Sequence, residues 1–373
     1  MKRIILRLHL IFIFVLSIGA ADLFAQKTLK DTFKDYFLIG AALNRAQFYE
    51  EDGRADHIVK TQFNTISPEN ALKWESVHPQ KNKYTFEAAD RYVAFGEKNQ
   101  MFIVGHALVW HQQTPDSVFR NAKGNFVDRR ELLKRLREHI FKVVGRYKGR
   151  IKGWDVVNEA LNDDGSLRQT NWLKIIGEDY LVKAFQFAHE ADPNAELYYN
   201  DYSLEREPKL QGAIKLIKNL KLKKINITAV GLQGHNSLTF PTVAEQETAI
   251  NEFVKLGVKV NITELDISVL PFPDGFTGAE ISMTFAMEEK LDMYRSGLPN
   301  EIQQKLAVRY AELFGVFIKH RKDISRITFW NVTDGDSWLN NFPIKGRTDY
   351  PLLFDRSGKT KPAYDSVIRS VNH

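Results

Sequence analysis

The stretch WDVVNEA, residues 154–160, decides how the rest of the chain is read. Val156 and Val157, with Trp154 beside them, form an apolar run of buried-strand length. It ends in an amide next to an acid, Asn158 and Glu159. A parallel strand that delivers an acid at its carboxyl end puts it where α/β barrels keep their active sites. Further along, VNITELDI, residues 260–267, repeats the arrangement with Glu264 and Asp266. Two acids at two separated strand ends suggest paired carboxylates. Residues two apart on a strand share a face, so Glu264 and Asp266 both point inward, as do Gln233 and His235. Asn158 and Glu159 are neighbours, and regular alternation turns one of them away. Both serve one site only if the strand is irregular there or has already ended.

Outward from these stretches, short apolar runs alternate with longer amphipathic ones. The pattern predicts strands over 37–42, 64–67, 101–110, 151–157, 196–199, 227–232, 259–267 and 324–330. It predicts helices over 55–63, 86–100, 129–147, 179–190, 208–220, 242–256, 301–320 and 361–371. Pro208 falls in a first helical turn, and Gly257 is placed as a C-cap. Eight strand–helix units imply a parallel sheet closed into a single-domain α/β fold, a (β/α)8 TIM barrel. Residues 268–299 are a long excursion, rich in Pro and Gly at first, and long loops inside compact domains are usually functional. Trp154 and Trp74 read as packing residues.

Composition narrows the function. The chain has 373 residues, 43% of them hydrophobic, enough to bury most of its surface without staples. Cys is absent, which excludes thiol nucleophiles and Cys-ligated zinc. Net charge is +6, but Lys and Arg are interspersed with Asp and Glu and form no basic block, so no nucleic-acid partner is expected. Residues 1–25 stand apart. Lys2, Arg3 and Arg7 precede an apolar run from Leu10 to Ala21, and Leu23-Phe24-Ala25 offers a cleavage point before Gln26. This reads as a secretory signal peptide on a catalytic domain of residues 26–373, and its removal leaves a charge near +4. The apolar run is short for a membrane span, and no later segment approaches that length. The expectation is a secreted or periplasmic monomer with no membrane contact after cleavage.

The strand ends collect Glu69, Asn70 and Lys73; His106, Trp110 and His111; Asn158 and Glu159; Asn200 and Tyr202; Gln233 and His235; Glu264 and Asp266; and Trp330, with Trp338 beyond it. Carboxylates, amides, imidazoles and indoles on one rim suit a sugar: hydroxyls take the polar groups, and pyranose faces take the rings. Retaining glycoside hydrolysis needs two carboxyls about 5–5.5 Å apart. Glu159 and Glu264 sit on the fourth and seventh strands and meet across such a rim. His235, between two carboxylates, is placed to hold one of them ionised. His106, His111 and His235 lie on different segments with no HxH pair, so no metal or other cofactor is expected.

WDVVNEA, ITELDI, SPENALKWE, GHALVWH, YNDY, GLQGH and the tail DGDSWL…YPLLFD together resemble the family 10 glycoside hydrolases, the endo-β-1,4-xylanases, over nearly the whole chain. The resemblance implies retention of configuration, with Glu159 as acid/base and Glu264 as nucleophile, and xylan or xylo-oligosaccharides as partner. It implies a hydrogen-bonded chain of His235 and Asp266 behind the nucleophile, and Asn158 on the sugar's 2-hydroxyl. Glu69, Asn70, Lys73, His106, Trp110, Gln233, Trp330 and Trp338 would line the glycone side, and Tyr202 the leaving-group side. Two departures stand out: Ala107 where the family often has Thr, and Ser203 where it often has Asn. Another β-linked glucan, or carbohydrate binding without catalysis, are the rival readings, and retention of both acids argues against the second.

Overall fold

The computed structural model describes residues 27–276 and 280–372. The stretch read as a signal peptide lies outside them. Nine parallel strands form the sheet: β1 (Leu38–Leu43), β2 (Thr65–Pro68), β3 (Phe102–Val109), β4 (Gly153–Asn158), β5 (Glu196–Asp201), β6 (Ala229–Leu232), β7 (His235–Ser237), β8 (Lys259–Ser268) and β9 (Ile324–Phe329). Neighbours run β6-β5-β4-β3-β2-β1-β9-β8, and β6 pairs with β8 to close the ring, so eight strands make the expected barrel. Short β7 extends the path of β6 beyond Gly234 and pairs with the last residues of β8.

Helices form where capping and apolar spacing agree. Asp128 caps Arg129–Arg146 by accepting from the backbone N–H of Glu131 at 2.8 Å. Leu132, Leu136, Ile140, Val143 and Val144 are its buried face. Leu133 and Phe141 are only half-buried and flank that face. Thr242 and Glu245 form a reciprocal capping box on Val243–Lys255, a feature worth about 1 kcal/mol. Gly257 follows the C-cap Leu256 at φ +70°, a conformation that costs glycine little. Pro208 stands one residue outside Lys209–Leu222, as its N-cap, where its missing N–H removes no helical bond.

The main core lies between the strands and the helices that wrap them. Trp154 is fully buried, and its indole fits because β3 carries Gly105 opposite it; a Cβ there would lie 2.1 Å from the ring. Trp154→Ala would cost about 3–5 kcal/mol. Trp74 is also buried, stacked on His139 at 3.5 Å between ring centroids. A separate small cluster, Val104, Tyr198 and Ala229, fills the barrel, with the Arg326 guanidinium 4.4 Å from the Tyr198 ring centre. At the amino ends of the strands, the Tyr364 hydroxyl bonds to the backbone oxygen of Lys27 and to Oε1 of Gln62. Among the described residues, no helix is long and apolar enough to cross a membrane.

Candidate active site

The carboxyl ends of the strands carry the polar residues singled out above. β4 ends at Asn158, and Glu159 follows at φ +55°. That turn resolves the alternation problem: the strand has ended, and both side chains reach the same place. The turn is held by the Glu159 N–H donating to Asn200 O at 2.9 Å and by Arg168 Nε donating to Glu159 O at 3.3 Å. Glu159 is 4% exposed and Glu264 5% exposed. Oε1 of Glu159 accepts from Asn158 Nδ2 at 3.2 Å and Gln233 Nε2 at 3.0 Å, and Oε2 accepts from Trp110 Nε1 at 2.9 Å. Burial pushes the Glu159 carboxyl above its ordinary range, and the charge of Asp201 adds to this; the donors from Gln233 and Trp110 only temper it.

Glu264, inside β8, is treated differently. Its Oε1 accepts from Asn200 Nδ2 at 2.7 Å, and its Oε2 lies 3.2 Å from His235 Nε2. The other ring nitrogen of His235 lies 3.1 Å from Asp266 Oδ1. Burial alone would raise Glu264, but the His235 hydrogen bond, the fields of His106 and His235, and Asn200 outweigh it, so its carboxyl lies below the ordinary value. Burial likewise disfavours imidazolium at His235; the two carboxylates overcome that and carry its pKa up to about 10. The expected chain Glu264–His235–Asp266 is therefore present as geometry. Trp338 Nε1 donates to the other Asp266 oxygen at 2.8 Å and completes it.

Asn200 connects the two acids. Its Nδ2 serves Glu264 and also Asn158 Oδ1 at 2.9 Å, while Asn158 in turn serves Glu159. Thr263 Oγ1 donates to Asn200 Oδ1 at 2.6 Å, which sets the amide's orientation. Gly231 on the neighbouring strand leaves room for it, since a Cβ there would lie 2.3 Å from Asn200 Oδ1.

Glu69, Asn70 and Lys73 follow β2 as a second group. Lys73 Nζ donates to Asn70 Oδ1 at 3.0 Å and stands 4.8 Å from the Trp110 ring centre. Burial lowers the Lys73 ammonium pKa against the pull of Glu264, Glu69 and Glu159. Burial raises Glu69. His106 is 2% exposed, and its Nδ1 is bonded to Asp155 at 2.9 Å, so it meets the site chiefly through its field and its ring. Trp330 lies edge-on to both His106 and His235. Tyr202 accepts from Arg168 Nη2 at 3.0 Å on the side away from Glu69. Of the departures, Ala107 is buried within β3, and Ser203 lines a cavity beside Tyr202. Among the described residues, no group of three or more His, Asp or Glu side chains is arranged to hold a metal ion.

Sequence reading missed several supports. Asn331 Nδ2 donates to Glu69 Oε2 at 3.2 Å across 262 positions, Asp155 holds His106, and Arg168 pins the Glu159 turn. Asn200 appeared only as one strand-end amide among others, although the sequence does place it two residues before Tyr202.

The profile of Glycosyl hydrolase family 10 matches residues 28–370. The chain belongs to this family. Endo-1,4-β-xylanase A of Xylanibacter ruminicola is 44% identical to it over 344 residues, spanning 92% of this chain and 93% of that protein. The β-1,4-xylanase of Dictyoglomus thermophilum is 41% identical, spanning 92% and 90%. Among solved structures, a family 10 endoxylanase from a sugarcane soil metagenome superposes with a TM-score of 0.89 at 46% identity, covering 91% of this chain and 99% of that one. This family 10 chain is a glycoside hydrolase, and the rim described above is the place where its fold keeps catalytic groups.

Proposed function

We propose that the protein is an endo-1,4-β-xylanase that cleaves internal xylosidic bonds of xylan by double displacement with retention. The observation that carries this reading is a pair of buried carboxyls, linked through Asn158 and Asn200, whose surroundings push them in opposite directions. Opposite shifts in one site assign acid and base roles. Glu159, kept protonated by burial, gives its proton to the glycosidic oxygen while ionised Glu264 attacks the anomeric carbon and the leaving chain departs. Glu159, now a carboxylate, takes a proton from water, whose oxygen attacks the same carbon from the opposite face and frees Glu264. Two inversions give net retention. Asn158 is placed to bond the hydroxyl next to the anomeric centre. Glu69, Asn70, Lys73, Gln233 and Trp330 line the glycone side, and Tyr202 the leaving-group side. His235 and Asp266 act through Glu264, as positioning residues.

The test is product release from soluble glucuronoarabinoxylan by the full chain, with Glu264→Ala beside it. The expected result is short xylo-oligosaccharides from the parent, none from the variant, and a β-anomer as first product by NMR. Cleavage of carboxymethylcellulose with xylan untouched would replace the substrate, and affinity for xylan without any release of reducing ends would sink the enzymatic reading. Export is part of the same proposal. A protein recovered outside the cytoplasm should begin at or near Gln26 by mass spectrometry, and an intact Met1 end would count against a cleaved signal.

A further inference from the structure

Part of the excursion after β8 ties two distant loops of the rim together. The backbone N–H of Ile281 donates to Gln112 Oε1 at 3.0 Å, and Glu280 Oε2 lies 3.9 Å from His111 Nε2. Further along, the backbone N–H of Phe285 donates to Pro343 O at 3.0 Å. Residues 280–285 are thus a strap between the loop after β3 and the loop after β9. Each anchor adjoins a wall of the site. His111 and Gln112 directly follow Trp110, whose indole donates to Glu159. Pro343 follows Phe342, which stacks at 4.7 Å on Trp338, and the Trp338 indole donates to Asp266 behind Glu264.

The order of strands fixes what the strap crosses. Around the ring, β3 borders β4, which delivers Glu159, and β9 borders β8, which carries Glu264. A line from the β3 loop to the β9 loop leaves Glu69, Asn70 and Lys73, after β2, on one side and Tyr202, after β5, on the other. A sugar chain that reaches both sides passes beneath it, and the bond held between the two carboxyls lies at the crossing. The cover is lightly held. Ile281, Ser282 and Thr284 are exposed. Burial, with the charges of Arg168 and Lys209, carries the His111 pKa down to about 3, so this neutral ring gives Glu280 no ion pair. Covers of this kind lift and close during turnover. A linear chain slides under from its end, whereas a unit bearing a branch at the crossing has to wait until the strap lifts.

We infer that residues 280–285 are a specificity-determining strap that selects unbranched sugar units at the point of cleavage. The inference rests on the xylanase reading and on the placement of Glu69 and Tyr202 on opposite sides of the cleaved bond. The strap takes no part in the chemistry; it decides which stretch of a decorated chain reaches Glu159 and Glu264.

The experiment measures kcat/KM of the full chain on linear xylohexaose and on soluble glucuronoarabinoxylan, and calorimetry gives Kd for both. Ile281→Pro removes the N–H that Gln112 accepts, at a side chain 39% exposed and so without reach into the core. It should raise turnover of the branched polymer relative to xylohexaose by about twofold to tenfold, the worth of one neutral hydrogen bond. Ile281→Ala keeps the N–H and should behave as the parent. The chain has no cysteine of its own, so Gln112→Cys combined with Ile281→Cys can be bridged by a short bis-maleimide. The bridged protein should lose more of its activity on the branched polymer than on xylohexaose. A ratio of the two substrates that stays at the parental value in both Ile281→Pro and the bridged form would overturn the inference, as would an equal loss on both substrates after bridging. If xylohexaose is not cleaved at all, the xylanase reading fails, and the shift between parent and Ile281→Pro in the ratio of the two Kd values still decides the strap.

Discussion

Glu159 and Glu264 are hidden to nearly the same degree, yet their surroundings take them in opposite directions. Around Glu159, three neutral N–H donors face the carboxyl, and the strongest charge effect on it comes from another acid, Asp201. Neutral donors temper the desolvation cost but do not cancel it. Around Glu264 there is an imidazole, itself backed by Asp266, and the field of a second one at His106. Burial therefore does not decide which carboxyl is the acid. The charge type within hydrogen-bond reach does, because cations and anions gain most where water is absent.

That contrast can be broken at either pole. Removing the nucleophile has the largest expected effect: Glu264→Ala should lower kcat on xylan by about 10⁵-fold or more, and a variant keeping a hundredth of parental reducing-end release would contradict the role. Glu159→Gln should cost about 10²–10⁴-fold and flatten the alkaline limb of the pH profile. The sign follows from the shifts. Activity needs Glu264 ionised, so kcat/KM rises as pH climbs past its lowered pKa; it needs Glu159 protonated, so kcat/KM falls as pH passes its raised one. An unchanged alkaline limb in Glu159→Gln would remove that residue from the profile.

His235→Asn narrows the contrast instead of abolishing it. Without the imidazolium, Glu264 titrates nearer to Glu159, and the acid limb should move to higher pH. A lower kcat with both limbs in place would make His235 merely structural. The smallest change sharpens the comparison: Trp110→Phe removes one donor that holds Glu159 down, so the alkaline limb should move to slightly higher pH. Movement of the acid limb in that variant would show that the two carboxyls are not separately tuned by these partners.

The alternation of apolar strands with amphipathic helices announced the barrel, because each unit carries its own local signal. The rim residues were also legible, since each sits at the end of a recognisable strand. The conflict at Asn158 and Glu159 was visible as a conflict, and the left-handed turn at Glu159 is its solution. What could not be read was pairing across the ring. Asn331 is a plain amide after β9 until closure sets it against Glu69, and Asp155 is a buried acid in a strand until the β3–β4 register puts it on His106. The excursion after β8 was legible only as long. Its tie to the opposite rim, where Ile281 N donates to Gln112 Oε1 at 3.0 Å, depends on a fold already formed.

The hydroxyl of Tyr364 holds Lys27 and Gln62 together at the end of the barrel opposite the carboxylates. The first and last parts of the described chain are thereby neighbours, and a short peptide tether could join them without moving a strand. Circular permutation becomes an available design: new termini opened at the exposed turn of Lys223 and Lys224 would leave the eight-strand ring intact. A module fused at Lys27 would hang beneath the barrel, and one fused at the new ends would hang beside it, so the choice of attachment point sets how the cleft is presented to an insoluble fibre.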